Sequence, residues 1–289
     1  MQKYDFVILG GDKRLAYTAE EFIKRGYKTG VFANCEAMAV RGCGTFSCLK
    51  EAMESTDNIV SGIPFFRDGK LNAPLCETTV TADDIAEHLL PSHIVAAGMV
   101  GDFALVCAKK GALCADYGKR EDFCMLNAVP TAEAAIGILI NNLPVTLWGS
   151  KILIIGYGRI GKVLSQRLKS LGANVTVTAR KSSDFAISGI SGIKCVSTGP
   201  YIDNGYQFDA VINTVPEKIL TDKSFSQLRP DCFVMDVSAY PGYVSSEEAG
   251  VYGIKVTGAF SLPGKNSPVT AGRIIADVVT NICDELKGV

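Results

Sequence analysis

The chain has 289 residues, enough for two domains of ordinary size. Hydrophobic residues make up 47% of it and charged residues 20%, so a large core is available and disorder is not expected. The formal net charge of −1 gives no general attraction for nucleic acid, and any anion site must be local. The N-terminus runs directly into an apolar strand without a secretory signal, and no apolar run reaches membrane-spanning length. We therefore expect a cytoplasmic protein without a membrane partner.

The ten cysteines are scattered through apolar segments and include no C-x-x-C pair. Cys35, Cys43 and Cys48 lie closest together, but they lack zinc-like spacing and a nearby histidine. We expect free thiols in a reducing compartment and no metal site.

The first half of the chain alternates between predicted strands and helices. A capping box at Thr81–Asp84 precedes one of the helices. The predicted strands cover residues 5–11, 27–32, 58–63, 93–98 and 112–117, and the helices cover 15–25 and 85–90. This alternation predicts an open parallel sheet with helices on both faces, which we expect to be flavodoxin-like.

An apolar helix is predicted over residues 127–142, with Pro130 in its first turn. A second strand–helix series follows, with strands at 151–156, 174–178, 193–197, 209–215, 232–238 and 254–258. The last helix, 268–287, is apolar on one face. We predict two doubly wound α/β domains, an N-terminal substrate domain (1–142, rejoined by 268–289) and a nucleotide domain (143–267), around an interdomain cleft.

A glycine motif opens the second series. Gly156, Gly158 and Gly161 form a G-x-G-x-x-G, with Arg159 and Ile160 between the last two glycines. An apolar strand precedes the motif and a helical pattern follows it. That context is typical of a Rossmann dinucleotide-binding turn, whose glycines permit a tight turn, close approach of a pyrophosphate and close helix packing.

The residues after the next strand suggest which dinucleotide binds. An NAD enzyme usually places Asp or Glu there to bind the ribose 2′-hydroxyl. This chain instead has Arg180 and Lys181, followed by two serines. Cations suit a 2′-phosphate, so we predict NADP, with NAD as the alternative cofactor.

Other polar residues follow predicted strands, at the edge where ligands bind in such sheets. In the nucleotide domain we expect Ser238 and the run Asn213, Thr214, Val215 and Pro216 to border the cofactor. Asp12 and Arg14 follow the first strand and are candidates for binding substrate. Lys265 and Thr270 lie in a segment with two prolines and two glycines, which we interpret as a rigid carboxylate-binding loop before a helix.

Five segments together carry a resemblance to a known family: residues 7–14, 126–133, 156–161, 212–216 and 262–272. In their order and spacing they resemble the family of the dipicolinate synthase A subunit from endospore-forming bacteria. The resemblance implies NAD(P)-dependent oxidation of dihydrodipicolinate to dipicolinate, pyridine-2,6-dicarboxylate. It also implies a flavoprotein partner, the B subunit of the same enzyme, and a place in the mother cell during sporulation. We further expect a homo-oligomer.

The candidates for catalysis are Thr131, Glu133 and Lys265, and of these Glu133 is the one that can readily serve as a base. Three other functions compete with this interpretation. A 2-hydroxyacid dehydrogenase needs a histidine late in the nucleotide domain, and no histidine follows His93. A methylenetetrahydrofolate-type dehydrogenase needs a lysine base without a clear counterpart here. A non-catalytic NADP-sensing or scaffolding subunit of a flavoprotein complex remains open.

Overall fold

A computed structural model describes residues 3–199, 207–239 and 241–288. The chain divides into two compact units, residues 1–127 with 267–289, and residues 128–266. The division lies inside the helix α6 (Glu121–Asn142), earlier than the boundary placed at residue 142 from sequence.

The first unit contains a parallel sheet of six strands and a small antiparallel pair. Its strands are β1 (Phe6–Leu9), β2 (Thr29–Phe32), β3 (Gly44–Phe46), β4 (Asn58–Ser61), the pair β5 (Phe66–Arg67) and β6 (Lys70–Leu71), β7 (Ile94–Ala97) and β8 (Leu113–Asp116). Its helices before α6 are α1 (Lys13–Lys24), α2 (Cys35–Met38), α3 (Leu49–Glu54), α4 (Ala82–Glu87) and α5 (Phe103–Lys109). The capping box predicted at Thr81 is present at the start of α4.

The second unit contains another parallel sheet of six strands. Its strands are β9 (Lys151–Ile155), β10 (Asn174–Ala179), β11 (Lys194–Ser197), β12 (Ala210–Asn213), β13 (Phe233–Asp236) and β14 (Val256–Gly258). Its further helices are α7 (Arg159–Ser170), α8 (Ser182–Ile190), α9 (Asp222–Phe225), α10 (Ser246–Gly250) and α11 (Leu262–Asn266).

Both parallel sheets have the same strand order. The first runs β3-β2-β1-β4-β7-β8 and the second β11-β10-β9-β12-β13-β14. Counted within each sheet, this is the 3-2-1-4-5-6 order of Rossmann folds. The prediction of two doubly wound parallel sheets is confirmed. Apart from β3, the strands of the first sheet run β2-β1-β4-β7-β8, the flavodoxin-like order 2-1-3-4-5, and β3 extends that sheet by one strand.

Each sheet is buried on both faces, as parallel sheets require. In β1, Phe6 and Ile8 face one apolar cluster while Val7 and Leu9 face another. In β9, Ile152 and Ile154 face one cluster while Leu153 and Ile155 face the opposite one. Near-continuous apolar runs were the sequence signal for these central strands, and this double burial is their cause.

The last helix, α12 (Pro268–Lys287), belongs to the first unit and packs on α1. Its apolar face, including Val278 and Ile282, joins the cluster that contains Phe22. The two helices pack tightly at Gly272, where an added Cβ would lie 2.5 Å from the carbonyl oxygen of Arg14. Thr18 Oγ1 donates a hydrogen bond to the carbonyl of Gly272 at 3.0 Å.

Two local predictions need correction. Helix α6 begins at Glu121, so Pro130 lies inside it and not in its first turn. Glu121 and Asp122 suit the positive end of the helix dipole, which favours this earlier start. Residues 262–266, interpreted as loop, form the short helix α11.

By length and composition, α6 is the one helix in the described part of the chain that is apolar enough to cross a membrane. The sequence led us to expect no apolar run long enough to span a membrane. Half of its most apolar stretch is buried inside the protein, and core helices of soluble proteins pass the same test.

Candidate dinucleotide site

The turn between β9 and α7 has the geometry that a dinucleotide requires. Gly156 directly follows β9 and has φ +98°, a conformation that favours glycine. A Cβ at this position would lie 2.6 Å from Val215 Cγ1 and 2.7 Å from Thr214 Oγ1. The turn is thus tight because it packs directly on the segment that follows β12.

Gly158 and Gly161 have opposite surroundings. Gly158 is the N-cap of α7, no side chain caps that helix, and an added Cβ would meet nothing within 4 Å. At Gly161 an added Cβ would lie 2.3 Å from the carbonyl oxygen of Gly156. Open space beside an uncapped helix N-terminus suits a pyrophosphate, and the contact at Gly161 holds the helix against the strand. The residues present therefore fit a dinucleotide.

Hydroxyl groups of neighbouring strands hold this turn in place. The Gly156 N–H donates to Thr178 Oγ1 at 3.1 Å, and Thr198 Oγ1 lies 3.2 Å from Thr178 Oγ1. Thr214 Oγ1 donates to the carbonyl of Ile155 at 2.9 Å. The turn is thus pre-organised, because β10 and the segments that follow β11 and β12 all contribute to its support.

Arg180 and Lys181 follow β10, where the sequence placed them, and both are exposed. Arg180 Nη1 lies 3.4 Å from Glu217 Oε2, a long contact between side chains that are 70% and 52% exposed. Screening by water makes such a pair weak, so Arg180 is available to an anion. Asp184, the nearest following carboxylate in the sequence, pairs with Lys162 at 3.0 Å.

The predicted cofactor residues Asn213 and Ser238 use their side chains inside the protein. Asn213 is 1% exposed, and its Nδ2 donates to the carbonyl of Val215 at 3.0 Å and to Asp236 Oδ1 at 3.1 Å. Ser238 Oγ donates to Asp236 Oδ1 at 2.6 Å. These side chains shape the strand-end loops, and the run from Thr214 to the exposed Pro216 lies beside the glycine turn.

Asp236 is a residue at this edge that sequence reasoning missed. Its buried carboxylate accepts five hydrogen bonds, from Asn213 Nδ2, Ser238 N, Ser238 Oγ, Tyr243 N and Val244 N. It thereby ties the end of β12 to residues 238, 243 and 244, which follow β13. The sequence signal that could have identified Asp236 was its position at the end of an apolar strand, two residues before a serine.

The candidate catalytic residues of α6 are placed differently from one another. Thr131 is buried, whereas Glu133 is exposed and its carboxylate lies 3.1 Å from Arg167 Nη2 of α7. This ion pair gives Glu133 a partner within the second unit. Ile160 packs against the apolar core of that unit, and Arg159 is exposed in the first turn of α7.

In the first unit, Asp12 and Arg14 bind each other after β1. Asp12 is the N-cap of α1 and accepts from the Arg14 N–H at 3.0 Å. Its carboxylate also accepts from Arg14 Nε and Nη2, at 2.9 and 2.8 Å, and Nη2 donates to the carbonyl of Ile63. Burial alone lowers the pKa of Arg14, but the hydrogen bond and charge of Asp12 outweigh it, so the pKa is raised.

Arg14 therefore stays charged although its side chain is only 11% exposed. Among the described residues, none accepts a hydrogen bond from its Nη1. Tyr117 lies close enough to interact with this charge. Burial raises the pKa of the Tyr117 hydroxyl, which donates to the carbonyl of Ser61 at 3.0 Å.

Lys265 and Thr270 are both exposed. Lys265 lies in α11 of the second unit and Thr270 in the first turn of α12 of the first unit. Within the ranges that the structure describes, no cluster of three or more His, Cys, Asp or Glu side chains is arranged to hold a metal ion.

Comparison with known proteins finds one family model and one curated relative that are similar to parts of this chain. Residues 5–117 match the sequence model of the N-terminal domain of the dipicolinate synthase A subunit. The chain is 32% identical over 169 residues to the dipicolinate synthase A subunit of Bacillus subtilis (strain 168), an alignment that covers 58% of this chain. The match spans just over half, 57%, of that relative.

Solved structures share the fold over almost the whole chain. The crystal structure of the dipicolinate synthase A subunit from Bacillus halodurans aligns with a TM-score of 0.87 at 24% identity, covering 97% of this chain and 98% of the other. A transhydrogenase from Sinorhizobium meliloti aligns with a TM-score of 0.69 at 14% identity, covering 98% and 94%. The motifs, the N-terminal domain match and the aligned relative agree in making this chain similar to the dipicolinate synthase A subunit.

Proposed function

We propose that this protein is an NADP-dependent oxidoreductase that forms dipicolinate from dihydrodipicolinate. The observation that carries the proposal is the glycine turn. It is tight at Gly156, open at Gly158 and closely packed at Gly161, and a dinucleotide needs each of these properties at that position. Similarity to the dipicolinate synthase A subunit supports the choice of substrate. The fold shared with a protein named a transhydrogenase supports redox chemistry.

Several groups of the second unit would hold the cofactor. The uncapped N-terminus of α7 and the open space at Gly158 would take the pyrophosphate, and Arg180 with Lys181 would pair with a 2′-phosphate. The backbone of residues 214–216 would border the nicotinamide ribose. When bound, the nicotinamide supplies the hydride acceptor.

The first unit would contribute the positive charge for a substrate carboxylate. Arg14 is held in one orientation by Asp12 and by the carbonyl of Ile63, and its Nη1, which donates to none of the described residues, would take the ligand. A guanidinium that is already oriented loses little entropy on binding. Oxidation of a dihydropyridine makes its ring aromatic, so the chemistry requires alignment and charge neutralisation more than a strong base.

Cofactor choice is tested by titrating NADP and NAD into the wild type and Arg180→Ala. We expect NADP to bind more tightly to the wild type, and the variant to lose about 1.5–3 kcal/mol for NADP, or roughly tenfold to a hundredfold, with little change for NAD. Lys255→Ala, which removes an exposed cation just before β14, is the matched control. Equal affinities in the wild type would refute the preference for NADP.

The reaction is tested by following NADPH formation from dihydrodipicolinate. The measurement is made with this chain alone and again with the flavoprotein B subunit of the enzyme, which we propose as its partner in the mother-cell cytoplasm. Arg14→Ala should weaken dipicolinate binding at saturating NADP, and Lys265→Ala tests the same role for the exposed lysine of α11. Tight NADP binding without oxidation under either condition would instead indicate a nucleotide-sensing protein.

A further inference from the structure

An ion pair joins the two helices that follow the first and second strands of the second unit. Lys162 lies in the first turn of α7, and Asp184 lies in the first turn of α8. Lys162 Nζ is 3.0 Å from Asp184 Oδ1, and the two side chains are 32% and 19% exposed. Because β9 and β10 are neighbours in the sheet, the pair spans the carboxyl ends of both strands. In a Rossmann fold the adenosine ribose lies there, between the glycine turn and the end of the second strand.

Further contacts hold both partners of this ion pair in place. The Lys162 N–H donates to the carbonyl of Gly158 at 2.9 Å, and Lys162 Nζ lies 5.6 Å from the centre of the Tyr157 ring. That distance is within the range of a cation–π contact, and Tyr157 is buried. The Asp184 N–H donates to the carbonyl of Lys181 at 2.9 Å. The ion pair therefore links the glycine turn to the segment that carries the predicted 2′-phosphate ligands.

Two carboxylates follow or contact the cations after β10, and they differ in how firmly they are held. Glu217 lies 3.4 Å from Arg180, and both side chains are more than half exposed. Water screens that contact, so Glu217 can turn into solvent when a phosphate binds Arg180. Asp184 has a shorter contact with Lys162, and its side chain is mostly buried. Asp184 therefore stays with Lys162, and its charge remains neutralised when a nucleotide binds.

We propose that Lys162 is a positioning residue for cofactor choice, an inference that rests on the dinucleotide site of the proposed function. Lys162 neutralises the Asp184 carboxylate and keeps it from the adenosine ribose. A free carboxylate there would accept a hydrogen bond from the 2′-hydroxyl of NAD and repel the 2′-phosphate of NADP. Asp184 is thus a latent determinant for NAD, and Lys162 keeps the site suited to NADP by acting through Asp184.

The sign of two substitutions separates this role from a purely structural one. Lys162→Met keeps an aliphatic side chain but leaves the Asp184 carboxylate unpaired, so NADP should bind less tightly and NAD more tightly. Asp184→Asn removes the carboxylate and leaves the cation, so the preference for NADP should persist or grow. If the ion pair only fastened α7 to α8, both substitutions would break the same link and would weaken both nucleotides alike.

The test is calorimetric titration of NADP and NAD into the folded full-length protein and its variants. The measured quantity is the dissociation constant of NAD divided by that of NADP. Lys162→Met should lower this ratio by roughly tenfold or more, the effect of one charge-assisted hydrogen bond gained or lost. Asp184→Asn should keep or raise the ratio. The double variant, Lys162→Met with Asp184→Asn, again has no net charge at this position and should return to within about threefold of the wild type.

Two further variants are controls for charge and for position. Lys162→Arg should keep the ratio of the wild type, because a guanidinium preserves both the ion pair and the contact with the Tyr157 ring. Lys169→Met removes an exposed cation from the last turn of the same helix. It makes the same change in net charge at the opposite end of α7, and the ratio should stay as in the wild type.

Two results would overturn the role of Lys162. One is an unchanged ratio in Lys162→Met, and the other is an equal loss of both nucleotides in Lys162→Met and Asp184→Asn. Equal affinities of the wild type for NAD and NADP would instead refute the NADP preference of the proposed function. The change in the ratio between the wild type and Lys162→Met would still decide whether Lys162 controls the choice of cofactor.

Discussion

The two units share a strand order but differ at the turn after their first strand. In the second unit Gly158 leaves the N-terminus of α7 without a side-chain cap and beside open space. In the first unit Asp12 caps α1 with its own carboxylate and binds Arg14. The positive end of a helix attracts an anion in both cases. In the second unit the helix N-terminus is open to a ligand, whereas in the first unit the carboxylate of Asp12 occupies the equivalent position.

A further parallel shows that this difference is local. Ser61 Oγ donates to the carbonyl of Leu9 at 2.7 Å in the first unit, and Thr214 Oγ1 donates to the carbonyl of Ile155 at 2.9 Å in the second. Both bonds join the first strand of a sheet to the strand or segment beside it. The frame is equivalent in the two units, so the residues at the helix N-cap decide which turn is suited to a dinucleotide.

The largest expected effect comes from closing the open turn. Gly158→Ala adds a methyl group that meets nothing in the protein but occupies the space assigned to the pyrophosphate. We expect a loss of NADP affinity of at least about a hundredfold, roughly 2.7 kcal/mol, without a drop in melting temperature. Gly189→Ala, also in open space on α8, is the control and should bind NADP normally. If Gly158→Ala bound NADP as the wild type does, the open space at Gly158 would not be the pyrophosphate site, and the difference between the two units would have no functional meaning.

Next in size is removal of the protein's own cap. Asp12→Ala takes away the N-cap of α1 and leaves the Arg14 guanidinium largely buried without its carboxylate. We expect a loss of about 2–4 kcal/mol in the free energy of unfolding of the first unit, measured with urea, and unchanged NADP affinity. Phosphate should stabilise this variant more than the wild type, because the helix N-terminus is then free. Asp83→Ala, an exposed carboxylate in the first turn of α4, should change little.

The smallest effect concerns pH and the first unit alone. His93 is buried, accepts from the Leu90 N–H at Nδ1 and lies 3.1 Å from the Met53 carbonyl through Nε2. Burial lowers its pKa, despite the opposing hydrogen bond of Met53 and charge of Asp57. Below the unfolded pKa of about 6.5 the unfolded chain binds a proton that the folded chain does not, so stability falls as the pH drops.

Urea unfolding from pH 7.5 to 5.5 measures this dependence. The contribution of His93 to the slope should be at most about 1.4 kcal/mol per pH unit. His93→Gln should flatten the profile, and His88→Gln should leave it as in the wild type. The same slope in His93→Gln and the wild type would show that another group is responsible.

Much of the fold could be predicted because its signals are local. Apolar runs of four to six residues marked the central strands, since both faces of each sheet are buried. β3 was missed because it has only three residues and no clear pattern. α11 was missed because Pro263 and Gly264 suggest a loop, although Pro is tolerated in a first helical turn.

The sequence by itself determined the alternation of strands and helices, the glycine turn and the resemblance to a known family, because each depends on residues that are neighbours in the chain. The tertiary structure decided which polar groups are used within the protein. Asp12 binds Arg14, and Asp236 binds Asn213 and Ser238. The second set joins residues from different strands and loops, and no local pattern records which strand ends will lie side by side. Strand order sets that proximity, and it depends on how the connections between strands cross the whole sheet.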